Sequence, residues 1–227
     1  MTPATPHGGI IIFLRAPRKG RVKTRLATAL GDDTVLKLYT AFVSDVIAAA
    51  VETDLPVRLF FDPDDAETEI RDHFQTSLPL HPQKGADLGE KMANAFLDIF
   101  DWGFDRAILI GTDCPQITPH LLTTAMGELE KSAMVLGPSL DGGYYLIGFN
   151  GESFRNAMFQ GMKWGTETVF TETLKQAERH GLSVGLSARL RDIDTAEDLT
   201  AYYRSQTVSA SVCSATMTFL RSSHFDT

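Results

Sequence analysis

The period of the hydrophobic positions changes several times along the chain, and each change marks an element. Ile10 to Leu14 is an unbroken apolar run, the pattern of a strand covered on both faces. Thr24 to Leu26 begins a helix, and Val35, Leu38, Tyr39, Phe42, Val43, Val46 and Ile47 recur at helical spacing through Ala50. Val57 to Phe61 predicts a second strand, stopped by Asp62-Pro63-Asp64. Ala66 to Phe74 predicts a short helix, and Leu78 to Lys84 an irregular or extended link. Asp87 caps the next helix with Glu90 completing the box, while Leu88, Met92, Phe96 and Ile99 face the core. Arg106 to Ile110 is a third clear strand. Thr118 with Pro119 then starts a helix expected to run to Lys131.

Ala133 to Leu136 and Tyr144 to Phe149 read as strands around the turn-forming Ser-Leu-Asp-Gly-Gly. Trp164 to His180 is a loop followed by a helix, Leu182 to Leu186 a short strand, and Thr195 with Asp198 caps a last helix reaching about Arg204. Strands alternating with helices at this spacing predict a layered α/β domain with a mainly parallel sheet. One domain is expected over 8–204, with 205–227 a frayed or packed extension of no assigned role.

Composition narrows the class. A chain of 227 residues with 43% hydrophobic content can bury one sizeable core. The net charge of −8 argues against nucleic acid as a partner. No membrane span is expected, and Met1 to Gly9 lacks the basic start of a secretory signal. Cys114 and Cys213 form neither a Cys-x-x-Cys pair nor a disulfide framework, so both read as inert thiols in a reducing cytoplasm. A homo-oligomer is compatible with all of this.

Charge runs against the overall balance at one place. Arg15, Arg18, Lys19, Arg21, Lys23 and Arg25 fall within eleven positions, and no acidic residue precedes Asp32. A basic loop between a buried strand and a helix, punctuated by Pro17 and Gly20, suits phosphate binding; a solvated turn is the bland alternative. Lys23 is the prime candidate, a mobile ammonium that follows phosphate oxygens, and Arg25 could hold them in a fork. The loop is neither a Walker A sequence nor a dinucleotide fingerprint, which disfavours a P-loop ATPase or a nicotinamide enzyme.

Other strand ends carry further candidates, because α/β sheets bind ligands beyond the carboxyl ends of their strands. Asp113 in Gly-Thr-Asp-Cys-Pro is placed to hold a hard cation against phosphates, or only to shape a turn. Asp141 with Gly142 and Gly143 either approaches a ligand closely or forms a hairpin-like turn. Asp192 and Asp194 fall on one side of an extended backbone, and Thr195 can cap the helix, leaving both carboxylates free. With Asp113 they would form a three-carboxylate site for Mg2+ or Mn2+.

Taken in order, IIFLRAPRKGRVKTRLA, QKGADLGEKM, LIGTDCP, LGPSLDGGYYLIG, WGTETVF and RDIDTAEDL resemble the DUF2064 family, in its selenium- and radical-SAM-associated transferase 1 group, within the GT-A superfamily. The resemblance covers Ile10 to Arg204. The superfamily also includes the molybdenum-cofactor and phospholactate guanylyltransferases. The resemblance implies a GT-A-like nucleotide-diphospho-sugar transferase fold, a three-layer sandwich with a mainly parallel mixed sheet. It further implies that the loop with Leu14, Ala16, Pro17, Gly20 and Lys23 embraces a nucleotide, together with the loop before the Asp87 helix and Gly89 just after that cap. Asp113 would match the metal aspartate, Asp192 and Asp194 the late acidic pair. Asp141, Gly142, Gly143 and Trp164 would border the sugar or acceptor. The chain departs from many sugar transferases in lacking Asp-x-Asp at the central strand end, where Thr112 precedes Asp113.

Three functions share such a site. A glycosyltransferase would move a sugar from an NDP-sugar to a small acceptor. A nucleotidyltransferase would join an NMP from an NTP to a phosphorylated acceptor and release pyrophosphate, with Lys23, Arg25 and Asp113 at the reacting phosphates. A non-catalytic nucleotide-binding domain would do neither. The first is the reading carried forward.

Overall fold

The structure is a computed structural model that describes residues 8–207 and 214–223; Cys213 lies outside the described residues. Strand β1 (Gly9–Arg15) sits near the middle of a seven-stranded sheet of order β3-β2-β1-β4-β6-β5-β7. Its neighbours β2 (Val57–Asp62) and β4 (Arg106–Ile110) pair with it in parallel, and β3 (Leu80–Pro82) pairs in parallel with β2. Strand β6 (Tyr144–Asn150) runs antiparallel to both β4 and β5 (Met134–Pro138), and β7 (Val184–Leu186) closes the edge parallel to β5. The sheet is thus mixed but mainly parallel, as expected.

The unbroken apolar run of β1 is explained by helices on both faces. Ile10, Ile12 and Leu14 pack with Tyr39, Val43 and Val46, whereas Ile11 and Phe13 point the other way, into a cluster with Met92, Phe96 and Ile99. The first face is covered by α2 (Asp32–Val51) and α5 (Pro119–Glu128), the second by α4 (Leu88–Asp101) and α6 (Val169–Arg179). Three layers result.

The caps read from sequence are present. Asp87 accepts from the Glu90 amide at 2.9 Å, and Glu90 reaches back to the Ala86 amide at 2.8 Å. Thr118 accepts from the Leu121 amide at 3.2 Å. Thr195 and Asp198 exchange amide bonds of 3.2 and 3.1 Å at the start of α7 (Ala196–Thr207).

Several boundaries differ from expectation. The first helical region is two helices, α1 (Thr24–Leu30) and α2, joined at Gly31, whose φ of 79° breaks the helical path. Helix α3 (Glu67–Phe74) starts one residue later than read, and the extended form of the Leu78 to Lys84 link is realised as β3, held in register by the β2 backbone. Helix α5 stops at Glu128, three residues short of Lys131, where a turn takes over. Helix α2 is, contrary to expectation, long and apolar enough by length and composition to cross a membrane, but most of its apolar positions are core contacts. Part of the C-terminal extension forms α8 (Ala215–Ser222), whose Met217 and Leu220 pack with Leu38 and Phe42 of α2.

Candidate active site

The chain passes from β1 into the basic loop and then turns sharply into α1 at Lys23. That residue adopts left-handed backbone angles, φ 45° and ψ 46°, unusual for a residue with a side chain. Its ammonium nitrogen lies 2.7 Å from a carboxylate oxygen of Asp113 and 2.7 Å from one of Asp194. The lysine side chain is only 6% exposed, while the two carboxylates are 52% and 39% exposed. Burial alone would lower the ammonium pKa, but the two carboxylates outweigh it and the net shift is upward, so Lys23 stays charged.

The three residues come from distant parts of the chain. Asp113 follows β4, and the Ile193 amide donates to the Asp113 carbonyl at 3.0 Å. The Gln116 amide group donates to the Arg191 carbonyl at 2.8 Å, tying the 190–194 segment to the same strand end. With Thr195 and Asp198 engaged in capping, Asp194 is left to Lys23.

These groups open on a cleft of about 590 Å3 beyond the carboxyl ends of β1 and β4. Leu14, Arg15, Lys23, Arg25, Asp113 and Asp194 are on its wall. Arg25 is exposed and makes no ion pair among the described residues. Arg18 and Lys19 are turned away from it, Arg18 to Asp65 and Glu69 at 3.0 and 2.8 Å, and Lys19 to Asp33 at 2.7 Å. The basic loop therefore delivers fewer cations to the cleft than its composition suggests.

The remaining expected nucleotide contacts shape the loops instead. Ala16 and Pro17 are buried beneath the basic loop, the Ala16 amide continuing the β1–β2 ladder to Asp62 at 2.8 Å. Gly20 is exposed with φ 71°, a turn residue off the cleft wall. Gly89 is small because Trp164 lies against it: a Cβ there would meet the indole at 2.8 Å. Gly142 makes its close approach to the protein itself, since a Cβ would stand 2.1 Å from the Glu167 carbonyl oxygen. Asp141 accepts from the Ser139 hydroxyl and, at 2.9 Å, from the Gly143 amide, which fixes the β5–β6 turn. The hairpin-like reading describes this turn.

The expected three-carboxylate site is not assembled. No group of three or more His, Cys, Asp or Glu converges among the described residues. Asp192 is held by the Cys114 thiol and borders a smaller cavity of about 240 Å3, shared with Arg25, Asp141 and Asp194. Burial chiefly, with Asp141 and Asp113 nearby, pushes the Asp192 carboxyl up to about 6. Cys114 is buried, and burial first and Asp192 second push its thiol up, so it is no ready nucleophile. Asp113 and Asp194 are a donor set that fits Mg2+ or Mn2+, which are commonly bound through one or two carboxylates with substrate phosphates completing the shell.

Sequence reasoning missed several cleft residues. Tyr39, taken as a core position, closes the end of β1: its hydroxyl accepts from the Arg15 amide at 2.9 Å and donates to the Arg15 carbonyl at 3.0 Å. Gln83 bonds the Phe60 carbonyl at 3.0 Å, and Lys91 pairs with Asp62 at 3.1 Å on the same wall. Gln83 and Lys91 lay within a stretch that carried the family resemblance, which was the available signal.

Residues 46–166 match the family model described as uncharacterized protein conserved in bacteria, DUF2064. The chain belongs to this family. A protein from Desulfovibrio desulfuricans G20, named as a candidate nucleotide-diphospho-sugar transferase, is 33% identical, with 96% of each chain covered and a TM-score of 0.92. The inositol-1-phosphate CTP transferase from T. maritima is 15% identical over 92% of this chain and 98% of its own, with a TM-score of 0.57. The 4-diphosphocytidyl-2C-methyl-D-erythritol synthase from Anaerococcus prevotii is 12% identical over 88% and 99%, also at 0.57. The last two establish the shared fold alone. None of the curated proteins matches it.

Proposed function

We propose that the chain is a metal-dependent nucleotide-diphospho-sugar transferase that moves a sugar from an NDP-sugar to a small acceptor in the cytoplasm. The observation that carries this reading is the Lys23 ammonium held between Asp113 and Asp194 at the mouth of the cleft, with exposed Arg25 beside it. The Lys23 ammonium, with the guanidiniums of Arg15 and Arg25 on the same wall, suits the phosphates of a sugar nucleotide. The diversion of Arg18 and Lys19 into ion pairs elsewhere reduces the positive charge that the basic loop brings to the cleft. The relative at 33% identity supports the same assignment. The finer grouping with selenium- and radical-SAM-associated transferases rests on the sequence resemblance.

In this reading Arg25 forks one phosphate and Lys23 donates to a second, holding the donor with its leaving group against the β4 end. Asp113 and Asp194 would hold Mg2+ or Mn2+. When bound, such an ion offsets the charge that develops on the departing diphosphate. The apolar wall of Phe13, Met92, Leu109 and Ile147 limits water in the cleft.

Nucleotidyl transfer is the second reading, favoured by the single aspartate after Gly111-Thr112 in place of Asp-x-Asp. The test is to incubate the protein with Mg2+ or Mn2+ and each common NTP and NDP-sugar, with a metabolite extract as acceptor source. Release of a nucleoside diphosphate from an NDP-sugar, with the sugar recovered on an acceptor, is expected. Pyrophosphate released from an NTP, and lost in Lys23→Ala, would establish the second reading instead.

A further inference from the structure

We propose that Lys23 is an internal counter-cation that keeps the Asp113–Asp194 pair closed to a divalent metal until donor phosphates draw its ammonium away. Nucleotide and metal would then enter in that order. The inference rests on the transferase reading only for its second step, the arrival of phosphates.

The geometry carries the first step. Two carboxylates from segments 81 positions apart are brought to a single point, and that point is taken by the Lys23 nitrogen at 2.7 Å from each. With the ammonium in place the three groups sum to one negative charge; without it, two carboxylates face a partly open cleft. A divalent ion arriving at the nucleotide-free site meets a fixed positive charge at the position that it needs. The lysine side chain is nearly buried and the carboxylates are half open, so the ammonium lies on the protein side of the pair.

The second step follows from the lysine itself. An ammonium has three donors, and the carboxylates take two. The third can donate to a phosphate oxygen before either carboxylate is released. The flexible four-carbon stem then lets the charge move toward the phosphates, where Arg25 already lines the wall. The left-handed backbone at Lys23 supports a role beyond helix initiation. Asparagine or glycine would adopt φ 45° at lower cost, and the side chain makes no capping bond.

The experiment measures Mn2+ binding to the nucleotide-free protein by the electron paramagnetic signal of the free ion. Wild type should bind weakly, Lys23→Met tighter by about tenfold or more, and Lys23→Arg, which keeps the charge, close to wild type. Separately, calorimetry with UDP, GDP, CDP and ADP in the presence of a chelator should show one nucleotide bound by wild type and more weakly by Lys23→Met. Equal Mn2+ affinity in wild type and Lys23→Met would overturn the inference while leaving the transferase reading intact. Failure of every nucleotide, with or without metal, would remove the transferase reading and with it the proposed order. If Lys23→Met does not fold, Lys23→Gln carries the same measurement. Unfolding of both would also overturn the inference, since the lysine would then be a structural ion.

Discussion

The Ile193 amide donates to the Asp113 carbonyl at 3.0 Å, and this one main-chain bond sets the distance between the two carboxylates that hold Lys23. Asp113 ends a central strand, whereas Asp194 precedes α7 near the other end of the chain. The bond places them on one wall without a regular strand pairing between them.

Removing either carboxylate should therefore abolish function without unfolding the protein, because both side chains are partly exposed and neither is packed in the core. Asp113→Ala and Asp194→Ala are each expected to lower Mg2+- or Mn2+-dependent turnover on the order of 100-fold or more, with an unchanged circular dichroism spectrum. Asp192→Ala should be milder, roughly tenfold or less, because that carboxyl is engaged by Cys114 and orients its neighbours. Full activity of the Asp113 and Asp194 variants at low metal would remove the site assignment.

Gly142→Ala should destabilise the fold by about 2–4 kcal/mol, since a Cβ would stand 2.1 Å from the Glu167 carbonyl oxygen at a residue with φ 90°. The contact joins the β5–β6 turn to the segment before α6, and in the first turn of α6 the Phe170 amide donates to the Gly142 carbonyl at 2.9 Å. Gly165→Ala is the comparison: its φ is 77° but nothing among the described residues lies within 4 Å of the added carbon, so only the backbone cost of about 1 kcal/mol applies. Urea unfolding of the two variants measures the difference, and equal losses would show that the Glu167 backbone yields.

The contrast between these glycines shows how far the sequence could be read. A glycine required by a ligand and one required by a neighbouring backbone look the same in one dimension, so Gly89 and Gly142 read as nucleotide or acceptor contacts. In the structure Trp164 and Glu167 fill that space. The strands and caps were legible because their signals are local: the apolar run of β1, and acceptors three residues ahead of amides at Asp87, Thr118 and Thr195. Lys23, Asp113 and Asp194 were each legible as candidates, but their convergence depends on the Ile193 bond. The third carboxylate failed for a similar reason. Alternation places Asp192 and Asp194 along one cavity, yet the thiol of Cys114 takes Asp192, and no spacing rule anticipates that partner. Strand β3 and helix α8 are short and owe their conformation to what they pack against.

Helix α8 is part of the fold's stability rather than of its chemistry. Asp45 on α2 accepts from the amides of Ala215 and Thr216 at 2.6 and 3.0 Å, satisfying two groups that a helix start leaves open. Met217 and Leu220 are about 1% exposed in a cluster with Leu38, Phe42 and Tyr202. Met217→Ala and Leu220→Ala should each cost about 2–4 kcal/mol, and Asp45→Ala about 1 kcal/mol. Nucleotide affinity of the folded Leu220→Ala protein should be unchanged, because none of these residues borders the cleft. Calorimetric loss of that affinity in a folded variant would tie the extension to the site.

The last prediction concerns pH. His81 on β3 lies between Phe60 and Trp102, with ring centroids at 5.2 and 4.5 Å, and its Nε2 is buried with no hydrogen-bond partner among the described residues. Burial first, and the positive charge of Arg58 second, lower its pKa in the folded protein. The unfolded chain, with an ordinary histidine pKa of about 6.5, therefore binds the proton more readily than the native state. Above that value both states hold a neutral ring and His81 contributes no pH dependence. As pH falls through about 6.5, the unfolded state gains protons first and this contribution to stability is lost. Replacing the ring by an uncharged aromatic should remove the effect while keeping the stack. Urea unfolding of wild type and His81→Phe at pH 8 and pH 5.5 should show the variant losing less stability on acidification. Parallel losses in the two proteins would mean that His81 takes up its proton in the folded state as readily as in the unfolded chain, and that the aromatic stack does not exclude charge.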